Sequence, residues 1–200
     1  TDNCVREGTF KNAKGNLVKA EYMYSQETEY IETENATGFV KYYKGGKFAF
    51  VALLPNEGTS IDSYIASLTG KGFLSALNSR KNTQVNTQMP KFKCEYSNSL
   101  VDTLKKMGMS TAFDGDRANF SSMATLKNEN IYISDVIHKT FIEVAEKGTR
   151  AGAATAVIVG ESAAMPVEQP KEVRLTRPFV YAIIDTRTNL PLFIGAQTDI

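Results

Sequence analysis

The sequence predicts an α+β fold that consists mostly of β-strands and contains three short helices. Two observations support this prediction. Runs of apolar, aromatic and β-branched residues recur at strand length and are separated by clusters of Gly, Pro and Asn, which favour turns. Only three stretches carry apolar residues at the spacing of a helix face, and all three are short.

The strand pattern is densest in the first third of the chain. Leu17–Tyr24 alternates and has one apolar face, and Thr9–Phe10 is its predicted partner in a hairpin. Thr37–Tyr43 and Phe48–Leu54 form a second predicted hairpin around a Gly-Gly turn. Because Phe48–Leu54 is almost wholly apolar on both faces, we expect a central strand that is covered on both sides.

The three helices are short and amphipathic. Ser60 is the predicted cap of a helix over residues 61–68, where apolar residues fall at i, i+3, i+4 and i+7. A second helix is predicted around Phe73–Leu77. A third follows the caps Asn98-Ser99 and stops at Gly108, since glycine favours the conformation that ends a helix.

The rest of the chain returns to extended patterns. Val85–Cys94 is predicted to be extended, with Pro90 at a sheet edge or a bulge. Ile131–Val144 carries apolar residues on both faces, which predicts one long interior strand of a large sheet. The pattern near the C-terminus predicts two apolar strands, Phe179–Ile184 and Leu192–Ile194, which are joined by a polar turn.

Length and composition indicate one globular domain with a balanced surface. The chain has 200 residues, is 42% hydrophobic and has a formal net charge of +1 at pH 7. We therefore expect neither nucleic acid nor a membrane surface as a partner. The chain opens without an initiator methionine or a targeting segment, so we expect this opening to be the middle of a longer protein.

A single histidine, His138, limits the possible chemistry. A multi-histidine zinc site cannot be built, and Ser/His/Asp or Cys/His catalysis would have to use this residue. Cys4 and Cys94 have no metal-ligand spacing, and they either pair once or stay reduced. We expect no metal and no cofactor.

The segment of residues 146–178 is unusual because it is long, rich in small residues and without a clear strand or helix boundary. A flexible linker is the simplest interpretation. However, from Thr149 to Val159 the only charge, Arg150, lies on the parity opposite to a set of small and β-branched residues. That set is Thr149, Ala151, Ala153, Thr155, Val157 and Val159. This alternation favours a segment that can become a strand of a sheet.

The residues of this segment resemble a known family. Glu146 to Val157 (EKGTRAGAATAV) is similar to the hinge of inhibitory serpins, and five other stretches resemble the family in the same order. These are Phe50–Gly58, Met89–Phe92, Leu104–Met109 with Phe113, Ile137–Lys139, and Arg177–Phe179 followed by Pro191–Gly195. The resemblance implies the serpin fold, which has three β-sheets with surrounding helices, and it covers only the C-terminal half.

The resemblance implies an inhibitor of serine proteases, or sometimes cysteine proteases, and not an enzyme. Residues 1–200 would be the C-terminal portion of one serpin domain, with a reactive-centre loop at about 146–176. A protease cleaves the exposed loop as a suicide substrate, and the loop then inserts into the large sheet and traps the enzyme covalently. The implied hinge residues are Glu146, Gly148, Thr149, Ala151, Ala153 and Thr155.

The sequence predicts the position of the reactive bond only to within a few residues. Family spacing from Glu146 gives Ser162-Ala163, while the bonds beginning at Ala163 and Ala164 remain alternatives and Met165 is disfavoured because Pro166 follows it. These residues are small or uncharged, which suits elastase-like or subtilisin-like targets.

His138 is interpreted first as a structural residue. A lone histidine on a strand with apolar neighbours is most simply a satisfied core residue. The resemblance of Ile137-His138-Lys139 to the serpin shutter supports this interpretation, implies hydrogen-bond partners on the missing half, and suggests a role in gating insertion. Three other functions stay open: a non-inhibitory serpin-fold chaperone or carrier, a hydrolase built on His138, and a plain interaction module. By resemblance we expect an extracellular or secreted protein, and a complementary N-terminal serpin half, or a second copy, as a partner for the exposed sheet edge.

Overall fold

Strands dominate the computed structural model, which describes residues 5–124, 127, 130–145 and 169–200. The strands are β1 (Val5–Lys11), β2 (Leu17–Glu32), β3 (Ala36–Tyr42), β4 (Phe48–Pro55), β5 (Lys81–Pro90), β6 (Phe92–Ser99), β7 (Ile137–Val144), β8 (Lys171–Arg174), β9 (Phe179–Asp185) and β10 (Pro191–Gln197). The helices are α1 (Ile61–Ser67), α2 (Gly70–Asn78) and α3 (Val101–Lys106). Over these residues the prediction of a mostly β fold with three short helices is confirmed.

The larger of the two compact units comprises Thr1–Phe92 and Glu143–Ile200. It contains an eight-stranded sheet in the order β10-β9-β4-β3-β2-β5-β8, with β1 paired to β2. All of these pairs are antiparallel except β5 with β8. Both predicted hairpins are present, and β2 is far longer than the sequence predicts because its second half lies between β3 and β5.

The strand β4 lies in the middle of this sheet and is buried along almost its whole length, as predicted. One face of β4 packs under α1 and α2, in a core that includes Val51, Leu53, Tyr64 and Leu77. The opposite face meets an aromatic cluster in which Phe50 stacks on Tyr181 with ring centroids 6.2 Å apart. A strand with both faces apolar is stable only under such double cover.

The first two helices begin at side-chain caps. The Ser60 hydroxyl accepts a hydrogen bond from the amide of Ser63, and Thr69 does the same for Gly72. These bonds satisfy amides that have no partner within the helix. No helix in the described part of the chain is long and apolar enough to cross a membrane.

The second unit, Lys93–Ile142, holds α3 and most of the two-stranded sheet β6-β7. The predicted strand over Ile131–Val144 is wrong in length, because β7 begins only at Ile137. The carboxylate of Asp135 accepts hydrogen bonds from the Ser99 hydroxyl and from the amide of Val136. The Val136 amide is therefore not available for pairing with a neighbouring strand, and β7 begins directly after it.

The helix α3 ends as the sequence predicts. Gly108 has a φ of 101°, and its amide bonds to the carbonyl of Lys105 while the amide of Met109 bonds to Leu104. This is the Schellman arrangement, which glycine favours because it has no Cβ to oppose a positive φ. The N-terminal end differs from the prediction, since Leu100 is the cap residue and it makes no side-chain cap bond.

Candidate functional site

The predicted site lies mostly in residues 146–168, which are outside the described residues. This applies to the hinge residues Glu146, Gly148, Thr149, Ala151, Ala153 and Thr155, and to Ser162, Ala163, Ala164 and Met165 at the predicted reactive bond. Their assignments stay predictions. The structure does describe the strands that flank this segment, β7 before it and β8 after it.

The downstream flank is held firmly in the large sheet. Strand β8 falls inside the range predicted to be loop, and it pairs in parallel with β5 so that Val85 faces Lys171 and Gln88 faces Arg174. The side chains of Val173 and Leu175 are buried at 1% and 0% exposure. Burial of two such side chains contributes about 1.5–3 kcal/mol each. The loop prediction is therefore too long at this end, because the segment from Lys171 is already part of the sheet.

Hydrogen bonds continue this attachment beyond β8. The amide of Leu175 donates to the carbonyl of Gln88 at 2.8 Å, and the amide of Lys11 in β1 donates to the carbonyl of Thr176 at 2.9 Å. The next buried residue, Phe179, packs edge-on against Phe92 with centroids 5.9 Å apart. The chain that leaves the segment is thus bonded to β5 and to β1 before it enters β9.

The charged side chains at this flank all have partners. The Lys171 ammonium lies 5.8 Å from the centroid of the Tyr30 ring, and Arg174 forms a 2.7 Å ion pair with Glu172. Burial lowers the pKa of Arg177, an effect that the nearby charge of Glu57 opposes. These contacts fix the direction of the exposed side chains on β8.

A polar network that the sequence did not indicate lies between β2, β3 and β5. The Lys41 ammonium forms an ion pair with Glu27 and donates to the Ser25 hydroxyl at 3.1 Å. The Ser25 hydroxyl also bonds to Glu27 at 2.6 Å and lies 2.9 Å from the hydroxyl of the buried Thr87. Its members come from three strands, so no local spacing in the sequence could have revealed it.

A second ion pair lies on the same strand. Arg80 meets the carboxylate of Glu29 at 3.2 Å and donates to Asn189 at 3.3 Å. Burial raises the pKa of the Tyr42 phenol, and its hydrogen bond to Glu29 raises this pKa further. These groups hold β2 against its neighbours, and Glu29 Oε2, which faces Arg80, is buried without a hydrogen-bond partner among the described residues.

The upstream flank, in the second unit, is the strand β7. Within the described residues β7 has one strand neighbour, β6. Two of its apolar side chains are exposed, Ile137 at 62% and Phe141 at 54%, whereas Val144 at its end is buried. Phe141 lines a depression of ≈ 610 Å³ together with Tyr96 on β6 and with polar residues of both strands.

His138 lies on β7 and is exposed, and its interpretation as a satisfied core histidine stays a prediction. Within the described residues its side chain makes no hydrogen bond. The reason is that no described element covers this face of the two-stranded sheet. The role of His138 in a shutter stays a prediction, and the described residues contain no cluster of His, Cys, Asp or Glu suited to a metal ion.

The hydrolase interpretation is not supported by these contacts. Asp135 lies before β7 and its carboxylate is engaged by Ser99 and by the amide of Val136. A catalytic triad needs the acid and the serine to be bridged by the histidine. No hydrogen bond joins His138 to either residue in the described part of the chain.

Comparisons with known proteins give one consistent answer. A family model described as Serpin (serine protease inhibitor) matches residues 2–200. An uncharacterized serpin-like protein of Thermococcus kodakarensis is 33% identical over 191 residues, which is 96% of this chain and 44% of that protein. Serpin B3 of Homo sapiens is 37% identical over 155 residues, 76% of this chain and 38% of that protein.

A solved structure gives the same result for the fold. The thermophilic serpin tengpin in its native state superposes with a TM-score of 0.84 and 46% identity, covering 100% of this chain and 51% of that one. The chain thus spans about half the length of the proteins it matches, or somewhat less. It carries part of a serpin fold, mostly strands with three helices, and it belongs to the serpin family.

Proposed function

We propose that this chain provides the reactive part of a protease inhibitor that acts as a suicide substrate. A serine protease cuts the loop between β7 and β8, and its catalytic serine oxygen bonds to the new carbonyl carbon while the amine of the next residue leaves. The cut loop then adds to the sheet beside β7 before water can release this ester. The protease stays attached and inactive, and the chain contributes no catalytic group of its own.

The observation that carries the proposal is the alternation of small residues in the hinge. Thr149, Ala151, Ala153 and Thr155 share one parity, and Arg150 lies on the other. A segment that enters a sheet buries one parity, and small side chains enter without steric clashes. A charge on the buried parity would lose its hydration at a cost of several kcal/mol. Family membership supports the same interpretation.

A cut in the loop would leave one product attached to each of the two flanking strands. The upstream product stays joined to β7, whose pairing within the described residues involves only β6. An exposed strand edge is a ready template for another strand. The downstream product stays attached through β8 to β5 and through Thr176 to β1. A cut therefore separates the two ends of the loop without detaching β8 from the sheet.

We propose elastase-like or subtilisin-like enzymes as targets, with cysteine proteases as a less favoured class. The residues Ser162, Ala163, Ala164 and Met165 are small or uncharged, and no Arg or Lys lies between Ala151 and Gln169. A trypsin-like pocket selects a basic side chain before the cut. An extracellular setting is part of the proposal on family grounds alone.

The proposal includes a complementary N-terminal serpin half as partner. Apolar side chains are exposed on both units, at Tyr96, Ile137 and Phe141 in the second unit and at Leu192 and Ile194 on β10 in the first. Exposed apolar patches usually mark surfaces that another chain covers. The relatives are about twice as long as this chain, which suggests where the covering residues come from.

The test is incubation of the chain, alone and together with an N-terminal serpin half, with elastase and with subtilisin. We expect a covalent complex that survives SDS, and mass spectrometry that places the cut at Ser162-Ala163, Ala163-Ala164 or Ala164-Met165. Cutting without a complex would favour the non-inhibitory chaperone or carrier, and a stable complex cut at Arg150 or Lys171 would overturn the target class.

A further inference from the structure

The turn that joins β2 to β3 contains a short sequence that the proposed function does not use. Asn35, Ala36 and Thr37 form the triplet Asn-X-Thr, in which X is not proline. This triplet is the acceptor sequence for an N-linked glycan, which is carried on the surface of a protein. Asn35 is exposed and comes directly before β3. The turn therefore meets the first requirement of a modification site.

The local structure turns both polar side chains of the triplet away from the core. Ala36 is 0% exposed and belongs to the core of the larger unit. Successive side chains of an extended chain point to opposite faces, so Asn35 and Thr37 lie opposite to Ala36. Neither of these two side chains makes a hydrogen bond to another described residue. The Asn35 amide nitrogen and the Thr37 hydroxyl are thus both available to an enzyme.

The backbone of the turn is fixed without the Asn35 side chain. The amide of Asn56 donates to the Asn35 carbonyl at 2.8 Å, and the Asn56 carboxamide donates to the Glu34 carbonyl at 2.7 Å. The Thr33 hydroxyl donates to the carbonyl of Ala36 at 3.0 Å. Since none of these bonds uses the Asn35 carboxamide, a glycan on its nitrogen would leave the turn intact.

A second triplet of the same kind, Asn119-Phe120-Ser121, has a different local structure. Asn119 is also exposed, but its carboxamide oxygen accepts hydrogen bonds from the Ser121 hydroxyl at 2.7 Å and from the Ser121 amide at 3.2 Å. The acceptor sequence requires both the asparagine and the hydroxyl residue, so a modifying enzyme has to engage both. At Asn119 it would first have to separate them, whereas at Asn35 the two groups are already free of each other.

We propose that Asn35 is an acceptor for an N-linked oligosaccharide, and the extracellular setting on which this inference rests is part of the proposed function. In the reaction the Asn35 amide nitrogen bonds to the anomeric carbon of the oligosaccharide and loses one proton. The lipid diphosphate that carried the sugar leaves from the same carbon. The product is a bulky, hydrated group on the β2–β3 turn, attached to a side chain that the described contacts do not use.

The test is expression of the whole chain behind a signal peptide in a eukaryotic host that attaches N-linked glycans. Mass spectrometry maps the glycan on chain recovered from the cells and from the medium. We expect a glycan on Asn35 that peptide-N-glycosidase removes, which leaves Asp at this position. Asn35 should be occupied at least about threefold more often than Asn119, a factor that one net hydrogen bond supplies.

Four variants check the assignment. Asn35→Gln and Thr37→Ala each destroy the acceptor sequence, and both should lose the glycan. Thr37→Ser is the conservative variant that keeps the acceptor sequence, and it should retain the glycan. Asn119→Gln is the matched control, and it should leave the occupancy of Asn35 unchanged. A merely structural role of Thr37 would not distinguish Ala from Ser in this way.

The outcomes separate this inference from the proposed function. An unmodified Asn35, or a glycan found equally or more often on Asn119, overturns the inference whether or not the chain traps a protease. Modification of Asn35 that persists in Thr37→Ala also overturns it, because the acceptor sequence would then not be what the enzyme recognises. A glycan on Asn35 without any covalent complex with elastase or subtilisin supports the inference and contradicts the inhibitor.

Discussion

The amide of Leu175 donates a 2.8 Å hydrogen bond to the carbonyl of Gln88, and the Leu175 side chain beside it is fully buried. The bond continues the parallel pairing of β8 with β5 by one more residue. Leu175 thus contributes both a backbone hydrogen bond and a buried apolar side chain near the C-terminal end of the predicted loop. Leu175 therefore adds to the attachment of the downstream flank that β8 and Thr176 also provide.

Replacement of Leu175 by Ala should destabilise the large sheet. Removal of a fully buried leucine side chain costs about 2–5 kcal/mol, because transfer free energy is lost and a cavity remains. Leu74→Ala on α2 is the matched control, since Leu74 is 42% exposed, and it should cost less than about 1 kcal/mol. Urea unfolding of both variants measures the difference, and equal losses would mean that β8 does not anchor the chain.

The half-buried ion pair of Glu27 should matter more than an exposed pair on the same strand. Glu27→Gln leaves the Lys41 ammonium without its carboxylate, and we expect a loss of about 1–3 kcal/mol in the free energy of unfolding. Glu32→Gln is the control, because its partner Lys81 and Glu32 are both largely exposed, and such pairs are worth about 0–1 kcal/mol. Denaturant titrations that rank the two variants the other way would contradict this assignment.

Position along the hinge should decide whether a charge stops inhibition. Ala153→Arg places a charge on the parity that we expect to be buried on insertion, whereas Ala154→Arg places the same charge on the opposite parity. We expect Ala153→Arg to be cut as a substrate with at least tenfold less covalent complex, while Ala154→Arg traps protease almost as the parent does. The measurement is the number of inhibitor molecules used per enzyme inactivated. Equal behaviour of the two variants would exclude insertion in this register.

Alkaline pH should weaken the large sheet through Tyr22. Burial raises the pKa of this phenol to about 12, and the nearby Tyr24 adds to the shift. The unfolded chain loses the proton near pH 10, so the folded state binds more protons between about pH 10 and 12 and stability falls as pH rises through this window. Tyr22→Phe should flatten the fall, and it should lower stability near pH 8 because the bond to the Thr9 carbonyl is lost. The free energy of unfolding at pH 8 and pH 11 checks both effects, and an unchanged slope would contradict them.

The strands that the sequence predicted best are those whose own residues determine their environment. Phe48–Leu54 is apolar on both faces, which requires a covered central strand whatever its neighbours are. The second half of β2 was missed because its residues 25–32 are mostly polar, and it is held by pairing with β3 and β5. The charged strand β8 was taken for loop for the same reason. In both places tertiary pairing overrides the local pattern.

The candidate site also has features that the sequence reveals and features that it does not. The hinge alternation and the family resemblance are properties of one continuous segment, so they could be read directly from Thr149 to Thr155. A polar depression is lined by Tyr24, Gln88 and Arg174, among others, which are brought together only by sheet topology. No spacing in the sequence indicates such a surface. The predicted strand Ile131–Val144 was too long for a different reason, because its apolar pattern does not show that the Val136 amide is bonded to the Asp135 carboxylate and that pairing begins only at Ile137.

The order of the strands has a consequence for the cut protein. Strand β9 lies between β4 and β10, so the chain that follows residue 168 supplies β8, β9 and β10 to the large sheet. A nick anywhere in residues 146–168 would sever the polypeptide and still leave the two fragments interwoven as a complementation pair. They would elute together from a gel-filtration column and separate only in denaturant. A separation under native conditions would therefore not detect the nick.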